Sequence, residues 1–442
     1  MESIVYPIVS VCIIYIVFIV LLKNRIKKNI FCELGFLYIS LVVLYTILPG
    51  FVLIYGLSKP GDPISLLLEQ MMIESKDLTV HFWRLLLFII SFIIGYLLSR
   101  GKETILSVEI SMNRHTTIST LFIIIVIIML FLSSMSGPVE SYIDNYTRYD
   151  HLSFPLRKLA SIFIRFKTGF YTILLTLLFV DYKYFKKYIA FIVIILSLYE
   201  LVYSHGSRIY MFILILQTSF LYNYYVKKIN FKKLIPYTIA IMVLFSSIEV
   251  IRLLDSRNEI SQGVLKEEGI KPPGELGAIF VPSFHLYAER NNGSLPNVEW
   301  QMLFYDLISP FTFNSFTKWN PMYWYRDNYF PDSVVPPFTL GPVADSAIWG
   351  GEIDLLFRGI INGIFFAFIV KWFLKRRSKW WAITVYTYCF SYSVITLKYS
   401  VFFYLTPLVK ELVPTIIIVL ILMRIFSSSK NSISTLNIIP TT

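Results

Sequence analysis

Residues suited to metal or redox chemistry are scarce in this sequence: its 442 residues hold 3 Cys and 5 His. Cys12, Cys32 and Cys389 each lie inside an apolar run, with no partner at disulfide or metal-ligand spacing, so they read as small core residues. His81, His115 and His151 are scattered, also without metal spacing, which suits surface or interface roles. No glycine-rich loop followed by Lys and Ser or Thr is present, which argues against ATP-driven work by this chain alone. No Ser-His-Asp signature rises above chance, and no internal repeat stands out. Acids are few beside bases, 28 against 40, for a net charge of +12. Such a charge suits nucleic acid, yet the Lys and Arg gather in short links between apolar segments. That distribution is the positive-inside pattern of a membrane protein and excludes a nucleic-acid partner.

What the chain has in abundance is apolar surface. It is 56% hydrophobic and 17% aromatic, with mean hydropathy +0.65. Uninterrupted apolar runs reach the length that crosses a bilayer. The expected fold is an all-α polytopic membrane protein of about 11 transmembrane helices. The spans fall near 4–22, 30–56, 81–99, 116–136, 160–182, 188–204, 209–226, 235–254, 346–372, 380–397 and 411–426. The first apolar run is followed, not preceded, by Lys23, Arg25, Lys27 and Lys28. It therefore reads as a retained span with its N-terminus outside, not as a cleaved signal. Basic links at 23–29, 100–115, 183–187, 227–234 and 373–379 then face inward, and the C-terminus lies inside. Only Glu33, Glu103, Glu109 and Asp181 fall on the inner half, so 24 of the 28 acids face outward. Polar chemistry belongs on that side. One transmembrane domain over 1–426 and a short, disordered cytoplasmic tail over 427–442 complete the expected organisation.

Between the eighth and ninth spans lies a polar insert, residues 255–345, long for a chain whose other links are short. Its prolines, among them Pro310, Pro321, Pro331, Pro336, Pro337 and Pro342, predict an irregular, rigid, lid-like loop.

Four groups of residues could carry chemistry. In Ser204-His205-Gly206-Ser207-Arg208, an Arg opens a helix against the dipole preference, and a phosphate would compensate it. Snorkelling to lipid phosphates accounts for the same position. Arg148, Arg157, Lys158, Arg165 and Lys167 form an outward basic run suited to a diphosphate, or to anionic headgroups beneath an amphipathic helix. Arg252 and Arg257 lead into the long loop, followed by His285, Arg290 and the aromatic run Trp319, Tyr323, Trp324, Tyr325, Arg326, Tyr329 and Phe330. Those aromatics suit sugar rings, and equally an interfacial belt. Last come Asp345, Glu352, Asp354 and Arg358. Asp354 and Arg358 are four apart and pair on one helix face. Glu352 has no partner in helical reach, which makes it the better candidate base or acid. The first outer loop, 57–80, has no paired acids, since Asp62 and Asp77 do not form a metal-binding couple.

In order along the chain, Gly206-Ser207-Arg208, Phe304-Tyr305 through Ile308-Ser309-Pro310, and Gly341-Pro342 through Gly350-Gly351 to Ile369-Val370-Lys371-Trp372-Phe373 resemble the bacterial oligosaccharide repeat-unit polymerases. This is the Wzy-type family of O-antigen and enterobacterial common antigen polymerases. The resemblance covers most of the chain in topology and a few segments in residues. It implies a metal-independent, cofactor-free glycosyltransferase of the bacterial cytoplasmic membrane. Such an enzyme moves a glycan from undecaprenyl diphosphate to the non-reducing end of another lipid-linked repeat, with room for a chain-length regulator as partner. By resemblance Arg208 matches the family's Gly-x-Arg position, and Arg148 and Arg252 lie where the family places basic residues. Lys398 stands where members often carry an Arg, keeping the charge without the bidentate fork. In this reading Glu352 or His285 takes the proton of the attacking hydroxyl. Arg208, Arg148, Arg157, Arg252, Arg257, Arg290, Lys398 and Tyr325 bind substrate. Two alternatives remain: an O-antigen ligase that delivers glycan to a lipid A core, and a flippase or other transporter.

Overall fold

The structure, a computed structural model, describes residues 2–26, 30–44, 75–101, 116–134, 154–203, 208–227, 275–311, 319–331, 340–397, 405–421 and 424. The expected span 235–254, the tail 427–442, and Arg148, Arg252, Arg257 and Lys398 lie outside these residues. The described residues are mostly helical and contain no strand. Three helices are long and apolar enough to cross a membrane: Val5–Arg25, Thr79–Arg100 and Glu352–Arg376. Leu34–Leu44 and Phe166–Val180 are shorter apolar helices.

The chain forms two compact units, each assembled from separated segments. The first takes Met1–Ser107, Glu249–Arg376 and Tyr392–Thr406; the second takes Val108–Ile248, Arg377–Ser391 and Pro407–Thr442.

The first unit is organised on α1 (Glu2–Arg25), α2 (Leu34–Leu44), α3 (Ser75–Arg100), α8 (Glu275–Asn292), α9 (Pro321–Tyr329), α10 (Pro342–Trp349) and α11 (Glu352–Arg376). Its spine is α3 against α11. Small residues at four-residue spacing, Ser91 and Gly95 on α3 and Gly359 and Gly363 on α11, bring the two backbones together. A Cβ on Gly359 would collide with the Ser91 hydroxyl, and one on Gly95 with the Ile360 carbonyl. The two helices run parallel: Arg84 meets Glu352 at one end, and Lys371 lies beside Gly101 at the other. Tyr38, Phe92 and Phe366 fill the seam with ring centroids 4.9–5.7 Å apart, and Asn362 donates to the Tyr38 hydroxyl at 3.2 Å. At the C-terminal end of α3, buried Glu33 accepts from Arg100 at 2.8 and 3.1 Å and from Tyr96 at 2.5 Å. That arrangement satisfies a carboxylate that would otherwise be costly to bury. Arg25 of α1 donates to the Leu97 carbonyl, and left-handed Gly101, with φ of 65°, stops α3.

The expected span 346–372 is two helices. Gly350 and Gly351 divide α10 from α11, because Gly351 takes φ of 64°, a conformation that side chains with a Cβ resist. The insert expected to be irregular contains the five-turn helix α8, with Pro282 inside it. Two of its prolines open helices: Pro321 and Pro342 stand at the first turns of α9 and α10.

The second unit holds α4 (Thr116–Ser134), α5 (Phe154–Val180), α6 (Tyr182–Tyr203), α7 (Arg208–Tyr225), α12 (Trp380–Tyr392) and a helix over 405–421 whose Leu408–Leu412 turn is π. The basic link expected at 183–187 is the first turn of α6. Buried α5 carries the polar core. Lys167, expected to face outward to phosphate or headgroups, is instead buried and ion-paired with Glu200 at 2.8 Å. Its ammonium lies 3.9 Å from the Tyr210 ring centre, and Tyr171 donates to the same carboxylate at 3.0 Å. Gln217 bridges Thr172 and Ser391 at 2.7 and 3.2 Å, and Tyr388 donates to Glu411 at 3.1 Å.

Candidate functional site

The polar side chains of the first unit gather where α3 and α11 begin, under helix α8. Residues three and four apart share a helix face, so α8 offers two working faces. Tyr287 and Arg290 look toward α10 and α11, and His285 and Glu289 look toward α9.

On the first face, Arg84 lies 3.5 Å from the Tyr287 ring centre and turns both Nε and a terminal nitrogen on one oxygen, Oε1, of Glu352, at 2.8 and 2.7 Å. A guanidinium against an aromatic face and beside a carboxylate is held by its charge and by its plane. Tyr287 shares a 3.0 Å hydrogen bond with Ser346 of α10, and burial pushes its phenol up to about 12. Arg290 donates to the Ala347 and Trp349 carbonyls at 3.0 and 3.2 Å, capping the C-terminal end of α10, where a cation is favoured. At least one of its nitrogens therefore serves the fold. Arg358 continues the charged cluster into α11. It pairs with Asp354 as expected from their spacing, and also with Asp345 of α10 at 3.2 Å. Burial raises the Asp345 carboxyl to about 6 against the opposing pull of Arg358.

On the second face, His285 Nδ1 and the Tyr325 hydroxyl are 2.9 Å apart, and Nε2 is 3.9 Å from Glu289. Burial lowers the His285 pKa and Glu289 opposes it, leaving the imidazole neutral near pH 7. Burial also holds Tyr325 far above the usual tyrosine range, so it remains a phenol. In the tautomer in which that phenol donates to Nδ1, the ring proton sits on Nε2, on the Glu289 side. The Tyr329 ring stands edge-on to His285 at 4.5 Å.

These positions revise several expectations. Glu352, which has no partner in helical reach, has one on α3: Arg84, 268 residues earlier in the chain. Glu352 and His285, named together as acid or base, lie apart: His285 is on the α9-facing side of α8, and Glu352, on α11, belongs with the Tyr287 side. Tyr325, expected to bind substrate, is 1% exposed and props His285 from beneath. Arg208 opens α7 as the sequence suggested, and Arg157 lies within the first turns of α5. Arg84, Tyr287 and Ser346 went unnoticed. The available signal was an ionisable residue inside an apolar span, Thr79–Arg100, where a charge is costly and therefore purposeful. Among the described residues no group of His, Cys, Asp and Glu is arranged to hold a metal ion. Comparisons with protein-family models, curated proteins and solved structures found no match for this chain.

Proposed function

We propose that this protein polymerises undecaprenyl-diphosphate-linked oligosaccharide repeats at the outer leaflet of the bacterial cytoplasmic membrane, as a chain of about 11 spans with its N-terminus outside. The observation that carries the reading is the Arg84–Glu352 pair, fixed against Tyr287 where two candidate spans begin. The C-terminal turns of α1, α3 and α11 carry Lys23 and Arg25, Arg100, and Lys375 and Arg376. The positive-inside rule assigns those ends to the cytoplasm and the Arg84–Glu352 end to the outside.

In this proposal the acceptor hydroxyl attacks the anomeric carbon of the donor glycan. The bond from that carbon to the carrier's phosphate oxygen breaks, and the electron pair leaves with the diphosphate. Glu352 Oε2, outside the Arg84 fork, takes the hydroxyl proton. Arg84 keeps the carboxylate ionised and oriented, and the Tyr287–Ser346 bond keeps Arg84 in place. Neutral His285 offers its Nε2 proton to a sugar oxygen. Diphosphate binding is the role that the resemblance implies for Arg208, Arg148 and Arg252, whose forked donors suit it. The test uses purified protein in detergent with a synthetic lipid-linked repeat. Wild type is expected to lengthen it, Arg208→Ala to lose the activity while remaining in the membrane, and Arg208→Lys to recover little. Wild-type chain lengths in the Ala variant would refute the diphosphate role. A deletion strain separates the ligase reading: single repeats still attached to the core indicate a polymerase, and loss of all attachment indicates a ligase.

A further inference from the structure

The segment Trp300–Phe311 is built inside out. It runs through a 3₁₀ stretch, Trp300–Phe304, a helical turn, Tyr305–Ile308, and a second 3₁₀ turn, Ser309–Phe311. Met302 and Ser309 are buried, whereas Trp300 is 68% exposed, Phe311 76%, and Leu303, Phe304 and Ile308 are exposed between them. With 120° per residue through the 3₁₀ stretches and 100° through the helical turn, the five exposed apolar residues fall within about 160°, and the two buried ones lie opposite. A water-facing helix has the reverse arrangement.

The segment is fastened from its inner side, so the apolar face is not the surface of a loose strand. Just before it, Trp324 donates to the Asn297 carbonyl at 3.1 Å and Trp319 to Glu299 at 2.9 Å; within it, Ser309 and Thr406 share a 2.6 Å bond. On the exposed arc the one polar side-chain group is the Trp300 indole N–H. The same kind of surface continues on α11, where Ile353, Phe357, Ile361, Ile364 and Phe368 are exposed along one stripe of a candidate span.

We infer that Trp300–Phe311 is an interfacial shelf that lies in the outer half of the phospholipid bilayer. Leu303, Phe304, Ile308 and Phe311 enter the acyl boundary, and Trp300 sits at headgroup level, the depth Trp prefers. A protein partner would leave this arc without the hydrogen bonds and charged rim that protein interfaces carry; hydrocarbon asks for none. The shelf requires the chain to be in a membrane and is independent of the reaction proposed above.

The test uses the full chain in phospholipid nanodiscs. Leu303→Cys and Phe311→Cys, in a background with Cys12, Cys32 and Cys389 replaced by Ala, carry an environment-sensitive fluorophore; Asn291→Cys, on the exposed end of α8, is the reference. The expected result is blue-shifted emission at 303 and 311, quenched at least threefold more by a lipid spin-labelled near its headgroup than at 291, with the order reversed for aqueous iodide. Equal iodide quenching at all three sites overturns the inference in favour of a solvated face. Protection from both quenchers overturns it in favour of a protein partner. Should the cysteine-free background fail to fold, the wild type minus Trp300→Phe difference in quenching by brominated lipid reports Trp300 directly. A null difference overturns the inference in the same way.

Discussion

Replacing Gly363 by Ala tests whether the α3–α11 seam is set by backbone contact. The new Cβ would lie 2.6 Å from the Tyr96 amide nitrogen and 3.1 Å from the Phe92 carbonyl carbon, against about 3.5 Å for ordinary contact. Neither atom belongs to a side chain that can swing aside, so the helices must part by on the order of 1 Å. Overpacking of this kind costs about 1–3 kcal/mol, which lowers the melting midpoint by about 2–6 °C in a protein of this size. Gly101 is the control, because the same substitution there meets different physics. A Cβ would meet only the Lys371 side chain at 3.8 Å, but φ of 65° strains any residue with a Cβ. Larger residues at 363 should therefore lower the midpoint progressively, Val more than Ala. At 101, Asn, which tolerates the left-handed region, should lose less than Ala. Thermal retention of the folded peak on size exclusion in detergent reads both series. A Gly363→Ala midpoint equal to wild type, or no difference between Ala and Val, refutes the close approach.

Buried and paired charge yields four other predictions. Lys167→Met or Glu200→Gln alone leaves an uncompensated charge in α5 or α6 and should cost about 3–5 kcal/mol, whereas the double variant Lys167→Met with Glu200→Met should recover most of the melting midpoint; additive losses would contradict the pairing. Burial depresses the His285 pKa in the fold, so stability should fall as pH drops through the usual histidine range, and His285→Gln should flatten that part of a pH–midpoint curve. Asp345 acts in the opposite sense: its carboxyl is raised to about 6, so its contribution is fully present below the usual carboxylate range and lost as pH rises toward 6, a slope that Asp345→Asn should remove. Arg84→Met keeps the apolar stem over Tyr287 but loses the fork on Glu352. Because Glu352 is 55% exposed, the stability loss should stay within about 1 kcal/mol, while polymerisation falls by at least tenfold; loss of both in proportion would make the pair structural only.

The local levels of this architecture were legible in the sequence and the long-range ones were not. Composition and apolar run length gave the all-helical class, and the i, i+4 spacing of Asp354 and Arg358 gave their ion pair. The break at Gly350-Gly351 was missed because both sides of it are apolar, and a hydropathy window averages across two residues whose significance is conformational. The Lys167 misassignment has a related cause. A cation near the end of an apolar helix reads as outward on charge statistics, yet Glu200, 33 residues later, allows it to be buried.

The same reasoning explains why Glu352 was read as solitary. Along one helix a residue sees only its neighbours within a turn, whereas α3 and α11 are brought into contact by four small residues distant in sequence. That close parallel approach places Arg84 and Glu352 at the same end of the spine. Moving α11 along α3 by one turn would shift Glu352 by about 5.4 Å and separate it from the Arg84 guanidinium. The glycines at 359 and 363, which have no polar atom of their own beyond the backbone, therefore set the register on which the Arg84–Glu352 pair depends. A substitution there should weaken that pair without touching either charged residue.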